Sequence, residues 1–359
     1  MRKCEVMNMN KTALISTLKK FSKQYLPCII VTVFFIICQI MISANAMPRT
    51  TKSMLIPVCV YIVMAVSLNL TVGISGELSL GHAGFMSIGA FTGVVMATYS
   101  REVFGFSQPL QLIFALVIGG IMAGIMGFLI GIPVLRLRGD YLAIVTLAFG
   151  EIIRNILNCI YISLEGKDLH FGFNNNTLPG TQIMRGPTGV TGVKTISTFT
   201  AGFLLVLFTL IVVINLVHSR SGRAIMAIRD NRIAAESVGL NVTGYKLLAF
   251  VSSAVLAGMG GALFGLNYAV TSPSNFSFNA SILILVYVVL GGIGNITGSV
   301  IAAAILYILP EELRSFNDYR MLAYAVVLIA VMLITNNAKI KNFINNLLKK
   351  NDEKGGETV

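Results

Sequence analysis

Glu151, Arg154, Asn155 and Asn158 stand at offsets 0, 3, 4 and 7 of an otherwise apolar stretch, so a helix places all four on one face. A carboxylate, a guanidinium and two amides in such a setting read in two ways. They form an internal Glu151–Arg154 pair that fixes helix packing, or they form a polar stripe along a pathway or gate. Glu77 and His82 lie in Gly73-Ile-Ser-Gly-Glu-Leu-Ser-Leu-Gly-His-Ala-Gly84, a Gly-rich bend that is either a plain interhelical turn or a substrate or gate element. No enzyme signature accompanies these groups. There is no G-x-x-x-x-G-K-[ST] phosphate loop, and His82, His170 and His218 form no H-E-x-x-H. A near match to G-x-G-x-x-G over 291–298 misses by one position and lies in an apolar run. Cysteines 4, 28, 38, 59 and 159 include no C-x-x-C pair and read as small apolar side chains without a disulfide. The expectation is a non-enzyme with no metal and no cofactor of its own.

The elements that must position these groups are membrane helices. Of 359 residues, 55% are hydrophobic and only 12% charged, too few charges to solubilise a globule of that apolar content. The net charge of +12 in such a chain is a topology signal before it suggests nucleic acid, which is not expected as a partner. A spanning helix needs roughly 20 apolar residues. Candidates are 26–46, 54–74, 78–98, 109–135, 140–160, 199–217, 246–269 and 319–335, with a ninth run, 281–310, broken at Gly291-Gly292-Ile293-Gly294-Asn295. Basic residues crowd segment 1–25 (Arg2, Lys3, Lys11, Lys19, Lys20, Lys23) and the tail 336–359 (Lys339, Lys341, Lys349, Lys350, Lys354), which places both termini in the cytoplasm. An even number of crossings results, so the broken run counts as two short helices or a re-entrant pair. The fold class is an all-α polytopic membrane protein of about ten transmembrane helices with Gly-rich breaks.

The organisation is therefore a basic cytoplasmic arm (1–25), a transmembrane domain (26–335) and a Lys-rich cytoplasmic tail (336–359). Residues 19–46 have features of a signal peptide, but the apolar stretch is long and its removal breaks the parity, so a retained first helix is expected. The long external loop is 161–198 and the long internal one 218–245. Small residues recur four apart in three spans: Gly119, Ala123, Gly127 and Gly131; Gly89, Gly93 and Ala97; Ala257, Gly261 and Gly265. Such ladders let helix backbones approach closely in lipid. The Gly-rich turns near 73–84 and 289–298 show a weak mutual similarity.

The internal loop is the most informative segment. A short, Ala-rich amphipathic helix exposed on the cytoplasmic face is expected from Asp230 to Val238, with Ala234-Ala235 within it and Gly239 as its C-terminal stop. Flanked by Arg229 and Arg232, it suits a partner's groove or a lipid surface. Ala234-Ala235-x-x-x-Gly239 resembles the E-A-A-x-x-x-G loop of ABC importer permeases, with Ile233 where that pattern has Glu and without its downstream I-x-L-P element. The 220–245 loop itself and three further stretches, Gly76–Phe85, Leu135–Ile152 and Gly186–Gly192, resemble branched-chain amino acid permeases of the LivM type, and the similarity spans roughly 54–335.

This resemblance implies a subunit of a heteromeric importer in a bacterial cytoplasmic membrane, working with a sister permease, ABC ATPase subunits that bind the ATP, and an extracytoplasmic substrate-binding protein. The implied cargo is leucine, isoleucine or valine, with urea or short amides as the alternative within the same kind of permease. Arg229, Asp230, Arg232, Ala234, Ala235, Glu236 and Gly239 would form the ATPase coupling site, and Glu77, His82, Glu151, Arg154, Asn155 and Asn158 the candidate pathway or gate. A stand-alone, ion-coupled secondary transporter is the rival class, and would use Glu77, His82, Glu151 and Arg154 as its ion groups.

Overall fold

The computed structural model describes residues 25–44, 48–137, 139–173, 179–192 and 194–313, together with 322, 325, 326 and 329. The basic arm, the span at 319–335 and the Lys-rich tail lie outside the described residues, apart from those isolated positions. Seven described helices are long and apolar enough to cross a membrane. These are α1 (Leu26–Ser43), α2 (Arg49–Asn69, continued by a π-turn over Leu70–Ile74), α3 (His82–Phe104), α4 (Gln108–Val134), α5 (Asp140–Cys159), α6 (Phe199–His218) and α9 (Val242–Gly265). Each falls within a few residues of an apolar run in the sequence, because a stretch of roughly 20 apolar residues has no stable alternative to a helix in hydrocarbon. The broken run resolves into two shorter helices, α10 (Phe278–Gly291) and α11 (Ile296–Glu312). The described residues up to 304 form one compact unit, and a second unit begins at 305.

Within the first unit the core is built by α3, α4 and α9, whose small-residue ladders interlock. A Cβ on Gly93 would lie 2.6 Å from the Cβ of Ala262, one on Gly127 2.6 Å from that of Ala254, and one on Gly119 3.0 Å from the carbonyl oxygen of Gly89. No side chain fits at these crossings, so the ladders are what brings the three backbones into contact. Helix α1 is peripheral: Ile29, Val33, Ile36, Ile37 and Ile40 are exposed, as lipid-facing side chains should be. It is held to α6 through Phe35, which stacks on Phe203 at a centroid distance of 3.9 Å and on Phe199 at 5.2 Å.

Two elements depart from simple spans. Helix α3 begins at His82, later than the apolar run suggests, because residues 76–81 run as non-helical chain from the π-turn to it. The segment expected as the long external loop, 161–198, is not irregular where it is described. It folds into four strands, β1 (Ile160–Glu165), β2 (Asp168–Phe173), β3 (Thr181–Arg185) and β4 (Val190–Thr191), joined by β5 (Val270–Thr271) in a sheet of order β2-β1-β3-β4-β5. Glu165 pairs with Asp168 across the two-residue turn Gly166-Lys167, where Gly166 has φ 61°. A positive φ at the first turn position is the hairpin geometry that glycine alone adopts freely. The helical membrane fold thus carries a small antiparallel sheet at one end.

Candidate functional site

At the end of the bundle opposite the sheet, α6 leads into α7 (Arg220–Asp230) and α8 (Arg232–Ser237). The single helix expected over 230–238 is corrected here: Asp230 closes α7, and Asn231, extended at φ −153° and ψ 103°, makes a corner before α8. Asn231 turns the chain because its side chain satisfies the next helix, its Oδ1 accepting the amide of Ala234 at 3.0 Å. The far end of α8 closes as a Schellman motif. Gly239 N–H donates to Glu236 O at 3.0 Å and Leu240 N–H to Ala235 O at 3.1 Å, with Gly239 at φ 83°. Leu240 packs onto the buried cluster of Ile228, Ala235 and Val242, which is the apolar contact that accompanies this motif.

This construction sorts the expected coupling residues into two faces. Ala235 is buried against the chain's own cluster, whereas Ala234, Ile233 and Val238 face outward, the latter two 80% exposed. Arg232 pairs with Glu236 one turn on at 2.8 Å along the same short helix. Arg229 pairs with Asp230 at 3.0 Å, but its Nη1 also donates to the carbonyl of Gly73 at 2.8 Å. That contact ties the end of α7 to the π-turn of α2, and nothing in the local sequence announces it.

Gly73 sits where two backbone breaks meet. A Cβ there would fall on the amide of Gly294, in the break between α10 and α11, and 2.7 Å from the Gly294 Cα. Asn69 clasps the junction: its Oδ1 accepts the Gly294 amide at 2.8 Å and its Nδ2 donates to Ser299 Oγ at 3.0 Å. The two Gly-rich turns that look weakly alike in sequence are therefore packed against each other. Glu77 pairs with Lys246 at the start of α9, both largely buried, and not with His82. His82 is buried against Ser67, Nε2 to Oγ 2.8 Å, and the α3 amide of Ala83 donates to Ser281 Oγ at 3.0 Å. Glu77 and His82 thus belong to two separate polar contacts, five residues apart in sequence.

The stripe on α5 forms as its spacing requires. Arg154 Nη2 lies 2.7 Å from Glu151 Oε2, and the other carboxylate oxygen accepts the amide of Phe278 at the start of α10, 3.1 Å away. Glu151 consequently neutralises Arg154 and caps a neighbouring helix. Asn155 is exposed and Asn158 half-buried, flanked by exposed Ile152 and Ile156. Among the described residues no group of three His, Cys, Asp or Glu side chains could hold a metal ion. The four described cysteines, 28, 38, 59 and 159, are free.

A bundle of apolar helices with broken segments clasped inside it and a doubly capped helical pair displayed at one end is the architecture of a polytopic membrane protein. Residues 50–335 match the family model for the permease component of the branched-chain amino acid transport system, and the chain belongs to that family. It is 35% identical to the high-affinity branched-chain amino acid transport system permease protein LivM of Salmonella typhimurium, over 82% of this chain and 69% of that protein. To LivM of Escherichia coli K12 it is likewise 35% identical, over 87% of this chain and 73% of the relative. A second E. coli protein of the same named system, the permease LivH, is 35% identical over 33% of this chain and 38% of its own. No solved structure matches the chain.

Proposed function

We propose that this chain is the membrane-spanning permease subunit of an ABC importer for branched-chain amino acids, moving cargo by alternating access driven by a separate ATPase subunit. The observation that carries this reading is the extended similarity to LivM, over four-fifths of the chain, together with a compact helix, α8, that offers Ile233 and Val238 to a partner. LivM and LivH are named for branched-chain amino acids and not for urea or amides, so leucine, isoleucine and valine are the preferred cargo. The likeness to both LivM and LivH supports a sister permease beside this one. The chain itself performs no reaction in this reading, and ATP is bound and hydrolysed by the ATPase partner.

The positive-inside rule puts the Arg-rich α7–α8 pair, both termini and the ATPase in the cytoplasm, with ten crossings of a bacterial cytoplasmic membrane. The sheet then faces outward and receives cargo from a binding protein. Glu151, Arg154, Asn155 and Asn158 lie on a spanning helix yet remain partly exposed on this single chain, and lipid is a poor cover for such groups. They line the pathway at the boundary with the sister permease, while the part-buried Glu77 and the buried His82 act as internal gate contacts.

Reconstitution separates this reading from ion-coupled transport. The purified chain alone, in vesicles under an imposed proton or sodium gradient, should accumulate no labelled leucine. Vesicles holding both permeases and the ATPases, with ATP at the ATPase side and loaded binding protein on the other, should accumulate it. Gradient-driven accumulation by the chain alone refutes the proposal.

A further inference from the structure

Arg229 carries more than a place on the loop. It occupies the last turn of α7, and its guanidinium reaches 156 residues back in sequence to the Gly73 carbonyl at 2.8 Å. That carbonyl lies in the closing π-turn of α2, where carbonyls lack the intrahelical partner that a continuing helix would provide. A cation at a helix C-terminus is also favoured by the peptide dipoles. Gly76, at φ 74°, leaves the passage for the arginine stem: a Cβ there would lie 2.7 Å from Arg229 Cγ. The same guanidinium holds Asp230, which is exposed to whatever docks on α8, at 3.0 Å. One side chain therefore grips the exposed α7–α8 loop with one edge and a buried membrane break with another.

The break it grips is joined to a second. Gly73 and Gly294 touch backbone to backbone, and Asn69 fastens them from α2. Interrupted helical ladders are where a membrane helix can bend or shift at little cost, and π-turns mark such hinges. A second tie, Lys246 to Glu77, binds the same bend to α9, onto which α7 and α8 pack through Ile228, Ala235 and Val242.

We propose that Arg229 is a positioning residue that transmits movement of the α7–α8 pair to the paired breaks at Gly73 and Gly294, and is not a docking contact for the ATPase. The proposal rests on the ABC importer reading and deepens it. Arg229 holds the two breaks in register with the loop, and a push on α8 reorients them because the guanidinium cannot let go of Gly73 without stranding its carbonyl.

The test uses the complete transporter, both permeases with the ATPases, in vesicles with leucine-loaded binding protein. Leucine moved per ATP hydrolysed, the stimulation of hydrolysis by loaded binding protein, and co-purification of the ATPase are all measured. Arg229→Ala should keep the ATPase bound and basal hydrolysis intact, while leucine moved per ATP falls by roughly tenfold, the scale of a typical coupling free energy. Arg229→Lys, which keeps the charge and loses the fork, should lie between the two and replaces the alanine variant if that is not recovered from membranes. Unchanged leucine per ATP in either variant overturns the proposal, and so does loss of the ATPase on purification, which would make Arg229 a docking residue. A wild-type complex that fails to couple ATP to uptake would instead strike the importer reading itself.

Discussion

Glu151 and Arg154 show how far a single side chain's role is set by its neighbours. Their spacing makes a one-face pair legible, and the pair forms at 2.7 Å. The second role of Glu151, capping α10 at Phe278, is not legible, because a contact across 127 residues leaves no trace in local sequence. The two roles separate experimentally. Glu151→Gln keeps an acceptor for the Phe278 amide but leaves Arg154 without its counter-charge inside the membrane, at a cost of about 1–3 kcal/mol. Arg154→Gln leaves the carboxylate in the same position. The double variant Glu151→Gln/Arg154→Gln should recover most of the thermal stability lost by either single change, measured on detergent-solubilised protein, while leucine uptake by the assembled transporter stays low. Recovery of uptake along with stability would reduce the pair to a packing device and remove it from the pathway.

Elements are legible where their own ends are written into them. Gly239 predicts the stop of α8, and it sits there with φ 83° in a closed Schellman motif. The corner at Asn231 is hidden although Asn is among the best N-cap residues, since Asp230-Asn231 also extends an apparently continuous amphipathic pattern. Asn231→Ala should therefore cost about 1 kcal/mol in the loop helix and reduce uptake modestly without abolishing it. Ile233→Asp acts differently. At 80% exposure it disturbs nothing inside the chain, so the protein should insert and unfold as the wild type does. Its charge would instead enter the partner's groove, and the ATPase should be lost from the purified complex. Retention of the ATPase by Ile233→Asp at wild-type stoichiometry would move the docking surface elsewhere.

At the scale of the whole molecule, the spans are readable because hydrocarbon leaves an apolar run one choice, whereas the joints between spans are not. The meeting of the breaks at Gly73 and Gly294 depends on close packing between segments more than 200 residues apart, as Asn69 to Gly294 illustrates. The sheet is hidden for another reason: its strands are short, and the hairpin signal Glu165-Gly166-Lys167-Asp168 sits in a segment whose Gly, Asn and Thr content resembles a loop. In the proposed importer that sheet gives the molecule two ends joined by α6 and α9, one to receive cargo and one to meet the motor. The hairpin tip, residues 165–168, is exposed throughout, and a Cβ on Gly166 would meet only open space. Reversing its charges with Lys167→Glu and Asp168→Lys should thus leave insertion, ATPase binding and basal ATP hydrolysis intact. If the sheet receives the binding protein, the variant needs more of that protein to reach half-maximal uptake but attains the same maximum, since only the encounter is weakened and the coupled movement is untouched. An unchanged half-saturation point would assign reception of the binding protein to another part of the outward face, whereas a lowered maximum with an unchanged half-saturation point would draw the sheet into the conformational cycle itself.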